Sequence, residues 1–266
     1  MTHVAITGAS SGIGAALVAE FARNGAAVTM VSRRQADMEA LAAQVGGKTQ
    51  IFAVDLRDTQ RVCDWLAPAA ARFGPIDVLI NNAGVQMVEP AEEHDPAELE
   101  AMIALNLVTP LRLTRAVLPE MIQRGGGTIV DVASVAGLAP TPGMWGYNAT
   151  KAGLAAASES LRGELRGSGI QIITVYPGPV DTPMGRAGYA AYPDWVRRLF
   201  IYGQSDVLAR RIRAAIELKQ SRIIYPLPYI LSRWFPIITR WVLDNFTPPA
   251  RSKLGRPARL LPSSEK

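Results

Sequence analysis

The sequence predicts an α/β fold with a doubly wound, Rossmann-like parallel sheet, in a single domain that carries a helical C-terminal extension. The first observation is an alternation of short apolar runs with stretches of helical periodicity along most of the 266 residues, which is typical of parallel sheets with helices on both faces. The second is that runs such as 77–80 and 171–175 are apolar with few interruptions, as expected for strands buried on both sides. The third is a glycine-rich turn directly after the first apolar run.

Strands and helices are expected to alternate in chain order. After the first strand and its turn, apolar residues at helical spacing over 15–21 predict the first helix. A long apolar helix is expected over 97–123. We divide the chain into a catalytic domain at 1–225, with a substrate loop at 185–204, and a basic and aromatic extension at 226–266. The strands are predicted near 3–7, 27–32, 50–54, 76–81, 127–133, 170–176 and 222–225.

Length and composition favour one domain in a reducing compartment. With 48% hydrophobic residues, the chain can bury a large core, and α/β folds of this size are commonly single domains. Cys63 is the only cysteine, so no internal disulfide can form. The first strand begins within three residues of Met1, so we expect no signal or transit peptide and a cytoplasmic location. His3 and His94 are too few and too far apart in sequence to indicate a metal site.

The glycine-rich turn, from Thr7 to Gly14, predicts a site for phosphate. A strand, a turn of this kind and a helix N-terminus together bind anions, because free backbone N–H groups and the helix dipole face the incoming charge. Gly8 permits the tight turn, Gly12 lets a pyrophosphate approach the backbone, and Gly14 allows the helix to pack closely on the strand. The alternative is a plain strand-to-helix turn with several glycines. The flanking strand and helix favour a dinucleotide site.

The spacing of Tyr147 and Lys151 indicates proton-transfer chemistry. Four residues apart on a helix, they share one face, so the ammonium can lie beside the phenol. A fixed cation favours the phenolate, and we expect it to draw the tyrosine pKa from about 10 toward neutrality. Tyr147 could then act as a general acid or base. The spacing also arises by chance, so it is informative only together with other motifs, including Ser134 thirteen residues earlier.

Further motifs join the turn and the Tyr-Lys pair: Asn81 to Gly84, Asn106, Ser134 and Pro177-Gly178. Together they resemble the short-chain dehydrogenase/reductase family, in its common branch with subunits of this length. The resemblance covers residues 2 to about 184 in order and spacing. Two departures from the family pattern, Asp131 where Asn is frequent and Ala133 where a second Ser is frequent, are expected to affect strand-end packing more than chemistry. Residues after about 185 carry no family signature, which leaves the substrate open.

The resemblance implies transfer of a hydride between a nicotinamide and a ketone or secondary alcohol. Tyr147 would protonate the developing alkoxide, Ser134 would hydrogen-bond the same oxygen, and Lys151 would hold the nicotinamide ribose while lowering the tyrosine pKa. Asn106 would hold a water that continues the path to solvent. The alternative is a catalytically silent nucleotide-binding scaffold or sensor at a membrane surface. Because all four residues are retained, an enzyme is favoured, with a homodimer or homotetramer as the expected assembly.

The type of cofactor is predicted from the end of the second strand. An acidic side chain there would accept hydrogen bonds from the adenosine ribose and would repel a 2′-phosphate, but this chain has Ser32-Arg33-Arg34. By resemblance, Ser32 occupies the discriminating acidic position. Guanidinium groups suit phosphate, so NADP(H) is the predicted cofactor. Two solvated arginines without a ligand are the alternative.

The resemblance assigns the remaining cofactor contacts. Asp55 would reach the adenine, with Asn82 and Ala83 along the adenosine side. Val180 and Thr182 would hold the carboxamide. The expected cofactor contacts are Gly8, Ser10, Ser11, Gly12, Ile13, Gly14, Ser32, Arg33, Arg34, Asp55, Leu56, Asn82, Ala83, Gly84, Tyr147, Lys151, Pro177, Gly178, Val180 and Thr182.

A bend is expected in the long helix at Asn106. Pro110 stands four residues later and has no N–H, so the Asn106 carbonyl lacks its helical donor. A free carbonyl beside the site can hold the water that the resemblance implies. The alternative is a kink that serves packing only.

The last quarter of the chain is strongly basic. Residues 203–266 contain twelve Lys or Arg and four Asp or Glu, whereas the whole chain has a formal net charge of +5. One helix is expected, with Arg233, Arg240 and Asp244 opposite an apolar face. The longest charge-free apolar run, 223–232, is too short to span a bilayer. The segment 228–259 could anchor the protein on anionic lipid at the inner face of a membrane, or pack on the pocket or a second subunit; without a nucleic-acid motif, no nucleic-acid partner is expected. The apolar face comprises Trp234, Phe235, Ile238, Trp241, Val242 and Phe246.

Large apolar residues gather around the substrate loop. Near an otherwise neutral site they indicate a bulky, apolar substrate that is steroid-like, retinoid-like or a long-chain keto compound. Packing in the core is the alternative. The residues are Met144, Trp145, Tyr189, Tyr192, Trp195, Phe200 and Tyr202.

Overall fold

The structure is a computed structural model that describes residues 1–248 and 250, with a seven-stranded sheet at its centre. The strands are β1 (His3–Thr7), β2 (Ala27–Ser32), β3 (Thr49–Ala53), β4 (Val78–Asn81), β5 (Gly127–Val132), β6 (Ile170–Pro177) and β7 (Arg222–Tyr225). Neighbouring strands are parallel, in the order β3-β2-β1-β4-β5-β6-β7. The predicted doubly wound parallel sheet is confirmed, and each predicted strand lies within two residues of its observed bounds.

Helices cover both faces of the sheet. They are α1 (Gly12–Arg23), α2 (Gln35–Val45), α3 (Leu66–Phe73), α4 (Pro96–Ile103), α5 (Thr109–Arg124), α6 (Trp145–Glu164), α7 (Pro183–Tyr189), α8 (Asp194–Arg197), α9 (Ser205–Glu217), α10 (Leu231–Trp234) and α11 (Pro236–Phe246). On one face, α1, α2 and α9 bury Leu17, Met38 and Leu208. On the other face, Trp65 and Leu113 are buried at α3 and α5. Full burial of an aliphatic side chain contributes about 1.5 to 3 kcal/mol, so both helical layers stabilise the sheet.

The strand order reverses beside β1, and this reversal positions the site. β1 pairs with β2 on one side and with β4 on the other, so the loops after β1 and β4 diverge and leave a crevice at the carboxyl ends of the strands. The glycine-rich turn follows β1 and the Asn82 loop follows β4. Thr7 joins them, because its hydroxyl accepts the backbone N–H groups of Asn82 and Ala83, both at 3.0 Å.

A π-helical turn, Ala104–Val108, separates α4 from α5 at the point where the sequence predicts a bend. Pro110 removes the N–H that the Asn106 carbonyl would otherwise accept, and π turns occur inside helices where the regular ladder is interrupted, often at functional sites. The combined stretch, Pro96–Arg124, is long and apolar enough to cross a membrane by length and composition. Its residues include Leu113, which is fully buried in the core beneath the sheet.

The C-terminal segment forms two helices where the sequence predicted one. The break falls at Phe235, which has non-helical dihedral angles (φ −127°, ψ 58°). Pro236 follows it, and a proline disfavours the helical region for the preceding residue. The predicted single apolar face is therefore divided between α10 and α11. Residues 249 and 251–266, which complete the predicted extension and the predicted anchor at 228–259, lie outside the described residues.

Candidate active site

A cleft of about 840 Å³ lies at the carboxyl ends of the strands. Ser134, Tyr147 and Lys151 line it, whereas Asn106 is buried behind its wall. Every residue that the sequence predicts to contact the cofactor lines the same cleft. These residues are Gly8, Ser10, Ser11, Gly12, Ile13, Gly14, Ser32, Arg33, Arg34, Asp55, Leu56, Asn82, Ala83, Gly84, Tyr147, Lys151, Pro177, Gly178, Val180 and Thr182.

The glycine-rich turn has positions where a side chain would not fit. Gly8 and Gly12 have positive φ, at 67° and 55°, where residues with a Cβ are strained. A Cβ on Gly14 would lie 2.0 Å from the Gly8 carbonyl oxygen, so only glycine lets α1 approach β1 this closely. The N-cap residue of α1, Ser11, makes no side-chain cap hydrogen bond. The first N–H groups of α1 are thus available at the cleft, and the turn fits the pyrophosphate of a dinucleotide.

Arg34 lies over the glycine-rich turn. Its guanidinium donates to the Ser10 hydroxyl at 2.9 Å and to the Ser11 hydroxyl at 2.6 Å. The hydroxyls of Ser10 and Ser32 are themselves 2.8 Å apart. One cation and three hydroxyls therefore converge at the end of β2, an arrangement that suits a phosphate group.

Asp55 is held by a residue that the sequence argument missed. Arg57 contacts both carboxylate oxygens of Asp55, and its Nη2 lies 2.6 Å from Oδ2. This hydrogen bond, with the charges of Arg57 and Arg33, lowers the pKa of Asp55. The signal available in the sequence was the two-residue spacing of opposite charges after β3. Leu56 lies between them, and its carbonyl accepts the Thr109 hydroxyl at 2.5 Å.

Ser134 and Tyr147 reach the cleft from β5 and α6. Ser134 follows the end of β5, where its hydroxyl donates to the Pro177 carbonyl at 3.3 Å. The same hydroxyl accepts the backbone N–H of Ala136 at 3.1 Å and so caps a short 3-10 turn. Tyr147 lies in the first turn of α6 with a partly buried ring. Both side chains are thus fixed by regular structure rather than by a free loop.

The pKa of Tyr147 is raised, contrary to the expectation from the sequence. Burial raises it, while the Ser134 hydroxyl acts in the opposite direction. Lys151 was expected to lower it, but the Lys151 Nζ lies 5.9 Å from the centroid of the Tyr147 ring and donates to the Val132 carbonyl at 2.7 Å. Burial also lowers the pKa of Lys151 to about 8, although the charge of Asp131 opposes this. The ammonium therefore donates to β5 while it lies over the Tyr147 ring.

Asn106 is fully buried, and its side chain holds the loop after β4. Its Oδ1 accepts the Val85 N–H and its Nδ2 donates to the Val85 carbonyl, both at 2.9 Å. Its Nδ2 also donates to the Thr150 hydroxyl at 3.2 Å. A Cβ on Gly84 would lie 3.1 Å from Asn106 Oδ1 and 3.5 Å from Lys151 Nζ, so these groups converge behind the cleft. That the Asn106 carbonyl holds a water stays a prediction.

The C-terminal helices form one side of the cleft. The sequence alone allows the pocket, a second subunit or lipid as the neighbour of this segment. Thr239, Val242 and Leu243 of α11 line the cleft. Leu243 and Tyr229 also pack against the small core cluster that contains Ala133. The three- to four-residue spacing is visible in the sequence, which predicts a single helix with Trp234 on its apolar face. Of that predicted face, Val242 and Phe246 line the cleft, whereas Trp241 does not.

Five of the seven large residues expected near the substrate line the cleft. Trp145 does not, because it is exposed and its ring lies 5.5 Å from that of His94. Tyr202 does not either, and its ring lies edge-on to the ring of Tyr189, with the two centroids 6.0 Å apart. The five that line the cleft are Met144, Tyr189, Tyr192, Trp195 and Phe200.

The curated proteins that are similar to this chain include a dehydrogenase and a reductase. A D-threitol dehydrogenase of Mycolicibacterium smegmatis is 34% identical over 223 residues, which cover 77% of this chain and 86% of that protein. A fatty acyl-CoA reductase of Mycobacterium tuberculosis is 37% identical over 191 residues, which cover 68% of this chain and 64% of that protein. Both names describe oxidoreductases, with substrates of very different size.

Solved structures share the fold over most of the chain. A short-chain dehydrogenase from Streptomyces avermitilis has a TM-score of 0.80 and 30% identity, and the match covers 91% of this chain and 95% of that one. A 3-ketoacyl-(acyl-carrier-protein) reductase from Brucella melitensis, solved with NADH, has a TM-score of 0.76 and 26% identity, covering 84% and 96%. The family model of the short chain dehydrogenases matches residues 2–192. The chain therefore belongs to the short-chain dehydrogenase family of oxidoreductases, whose fold binds a nicotinamide cofactor.

Proposed function

We propose that the protein is an NADP(H)-dependent oxidoreductase that interconverts a bulky, apolar ketone and the corresponding secondary alcohol. The observation that carries the proposal is the placement of Ser134, Tyr147 and Lys151 in one cleft with Arg34 and the glycine-rich turn. A scaffold or sensor needs the turn but has no use for a buried lysine close to a phenol. Retention of Tyr147 and Lys151 favours an enzyme.

A bound nicotinamide would supply or accept the hydride, and side chains of the protein would donate or accept the proton. The raised pKa of Tyr147 keeps its hydroxyl protonated at neutral pH, so it can donate a proton to the developing alkoxide. The Ser134 hydroxyl hydrogen-bonds the same oxygen. The Lys151 ammonium, one helical turn from Tyr147, stabilises the phenolate that forms when the proton leaves.

The Arg34 pocket supports a cofactor that carries a 2′-phosphate. Ser32 ends β2 without the carboxylate that would repel a phosphate. The guanidinium of Arg34 and the hydroxyls of Ser10 and Ser11 surround the same point, and Arg33 adds a second charge near Asp55. A related structure was solved with NADH. The preference for NADP(H) thus rests on these side chains and not on the fold.

The mouth of the cleft supports a bulky, apolar substrate. Trp195 and Leu199, at and after α8, line the cleft and are exposed at its edge, as are Val242 and Phe246 of α11. Apolar walls with few polar groups favour an apolar ligand. The names of the relatives refer to substrates as different as threitol and fatty acyl-CoA, so they do not indicate the size of the substrate. The proposal of a bulky, apolar substrate therefore rests on the residues that line the cleft.

The experiment is an assay of the full-length protein with a panel of ketones, each offered with NADPH and with NADH. The panel runs from a small hydrophilic ketone through a long-chain keto compound to a steroid ketone. We expect the highest kcat/KM for a bulky ketone with NADPH. Activity with NADH alone would contradict the cofactor proposal. Binding of NADPH without turnover of any ketone would favour the scaffold.

We further propose that the outer face of α10 and α11 rests on anionic lipid at the cytoplasmic side of a membrane. Trp234 and Trp241 are 69% and 59% exposed, and the face reaches the mouth of the cleft through Phe246. A second subunit on this face would cover the mouth, whereas lipid could deliver an apolar substrate to it. Residues 251–266 add five Lys or Arg and one Glu, which complement anionic headgroups. A homodimer or homotetramer would form through another surface.

A further inference from the structure

Asp131 is a buried carboxylate at the end of β5, behind the wall of the cleft. It is 3% exposed and Lys151 is 4% exposed. The next residue, Val132, accepts the Lys151 ammonium at its carbonyl. The Asp131 side chain lies on the face of the sheet that α6 covers, beside Asn81 and Ser158. The carboxylate and the ammonium therefore share one buried region.

The hydrogen bonds of this region are directed toward Asp131. Asn81 Nδ2 donates to Asp131 Oδ1 at 2.8 Å. Arg162 Nη2 donates to the Thr174 hydroxyl at 2.5 Å, and that hydroxyl lies 2.9 Å from the hydroxyl of Ser158. Because the Thr174 oxygen accepts from Arg162, its proton is available to Ser158, whose own proton is then available to Asp131. This succession of donors is what a buried, ionised carboxylate requires.

Two cations act on Asp131, namely Lys151 and Arg162, both on α6. Burial raises the pKa of Asp131 above its usual value, although its hydrogen bonds and these two charges oppose the rise. In the reverse direction, the charge of Asp131 raises the pKa of Lys151 against the effect of burial. Tyr147, the neighbouring titratable group of Lys151, lies on the cleft side. The side chains that β4, α5 and β6 place in the region are uncharged, namely Asn81, Thr114 and Thr174.

We propose that Asp131 is a positioning residue that acts through Lys151: its carboxylate is the buried counter-charge that keeps the ammonium protonated and in place near Tyr147. A lone buried ammonium loses its proton readily because burial disfavours the charged form. For its catalytic consequence the proposal rests on the proposed function. It departs from the expectation that an aspartate here affects strand-end packing more than chemistry.

The test is a direct titration of Lys151 by NMR in the full-length protein labelled with ¹⁵N-lysine. The chain has five lysines, and Lys151→Arg identifies the signal by its loss. In the wild type we expect a midpoint of about 8. In Asp131→Asn, which keeps the shape and the contact with Asn81, the midpoint should fall by about 1 to 2 units because an opposite charge is removed. An unchanged midpoint would overturn the proposal.

The matched control is Asp64→Asn, which removes an exposed carboxylate from the ion pair with Arg61. It should leave the Lys151 midpoint where it is, so a shift equal to that of Asp131→Asn would overturn a specific role for Asp131. A second measurement needs no variant. The ¹³C signal of the Asp131 carboxyl in the wild type should be that of a carboxylate at pH 7, and a neutral acid there would overturn the proposal even if Asp131→Asn did not fold.

The kinetic arm separates this proposal from the proposed function. Because Lys151 must be protonated to stabilise the phenolate, the alkaline limb of the reductase pH profile should move to lower pH in Asp131→Asn by as much as the Lys151 midpoint. A shifted midpoint with an unmoved alkaline limb would overturn the positioning role. A shifted midpoint in a protein that reduces no ketone would support the counter-charge and defeat the proposed function alone.

Discussion

The Arg34 guanidinium lies on the Ser11 hydroxyl at 2.6 Å, so that a cation just after β2 rests on the turn that follows β1. The side chain of Arg34 is 56% exposed, and its ion pair with Asp37 is an exposed contact between the N-cap residue and the first turn of α2. Such pairs contribute about 0 to 1 kcal/mol to stability. The stability of the fold therefore does not explain why the Arg34 guanidinium lies on the glycine-rich turn. A phosphate bound at the turn would explain it.

Arg34→Ala should weaken NADPH binding by roughly 10- to 100-fold, because the lost charge-assisted hydrogen bonds are worth about 1.5 to 3 kcal/mol. NADH lacks the 2′-phosphate, so its affinity should change by less than about threefold. Cofactor titration followed by fluorescence measures both constants. Arg33→Ala should act in the same direction, and the exposed Arg61→Ala is the control. Equal weakening of both cofactors by Arg34→Ala would show that the guanidinium does not contact the 2′-phosphate.

Ser32→Asp should reverse the cofactor preference. A carboxylate at the end of β2 would accept from the ribose hydroxyls and repel a 2′-phosphate, so kcat/KM with NADPH should fall by at least about tenfold while that with NADH rises. Ser32→Asn has nearly the same volume without the charge and serves as the matched control. If the two variants behave alike, size and not charge selects the cofactor at this position.

Tyr147→Phe should lower kcat by at least about 10²-fold, the usual loss when an acid or base is removed. The ring remains and the glycine-rich turn is untouched, so NADPH affinity should stay close to that of the wild type. Stopped-flow turnover and cofactor titration separate the two effects. Tyr202→Phe, on a partly exposed tyrosine outside the main cleft, is the control. Turnover near the wild-type rate in Tyr147→Phe would remove this tyrosine from the mechanism.

The fold and the meeting of the strand-end residues in one cleft could be predicted because their signals are local. Each buried strand is a short apolar run, and parallel strands bring their carboxyl ends to one edge of the sheet. Residues that directly follow those strands, such as Gly12, Ser32, Asn82 and Ser134, therefore meet in one cleft wherever they stand in the chain.

What the sequence did not reveal depends on contacts between distant segments. The Lys151 ammonium donates to the Val132 carbonyl nineteen residues away, a hydrogen bond that helical spacing alone could not predict. The raised pKa of Tyr147 follows from burial, which no motif encodes. In α11, helical periodicity could not decide between the cleft, a second subunit and lipid, and only the packing of the helix shows that Thr239, Val242 and Leu243 line the cleft.

The cluster around Glu159 should make stability depend on pH. Arg222 and Arg233 bind this carboxylate at 2.8 and 3.1 Å, and Tyr176 donates to it at 2.8 Å. The Arg222 hydrogen bond, chiefly, lowers the pKa of Glu159 to about 2. A carboxylate whose folded pKa lies below its unfolded value stabilises the protein above the unfolded pKa, about 4.3, and loses this contribution as the pH falls toward 2.

Glu159→Gln should therefore lower the free energy of unfolding at pH 7 by about 1 kcal/mol, a modest value because the pairs lie close to solvent. The difference from the wild type should shrink as the pH is lowered below about 4.3. Urea unfolding at several pH values measures it. Glu164→Gln, on the same helix and exposed, is the control. A difference that is constant from pH 7 to pH 3 would show that the charge of Glu159 is not the cause.

The outer face of α10 and α11 should bind anionic vesicles at low salt and release them at high salt, since surface attraction is screened within about 8 Å at physiological ionic strength. Replacing Trp234 and Trp241 with Ala should abolish sedimentation with the vesicles. Truncation of a buried Trp costs about 3 to 5 kcal/mol, but these two are mostly exposed, so the thermal midpoint should barely change. Trp145→Ala, exposed at the start of α6 beside His94, is the matched control and should still sediment.

A second copy of the chain on this face gives the opposite pattern. The wild type would then ignore vesicles at every salt concentration, and the double variant would dissociate into smaller species in analytical ultracentrifugation. Because a subunit seated there would also cover Phe246 at the mouth of the cleft, the dissociated variant should admit bulky ketones more readily and show a lower KM for them. The lipid proposal requires two results. The wild type binds vesicles at low salt, and the double variant keeps the assembly state of the wild type.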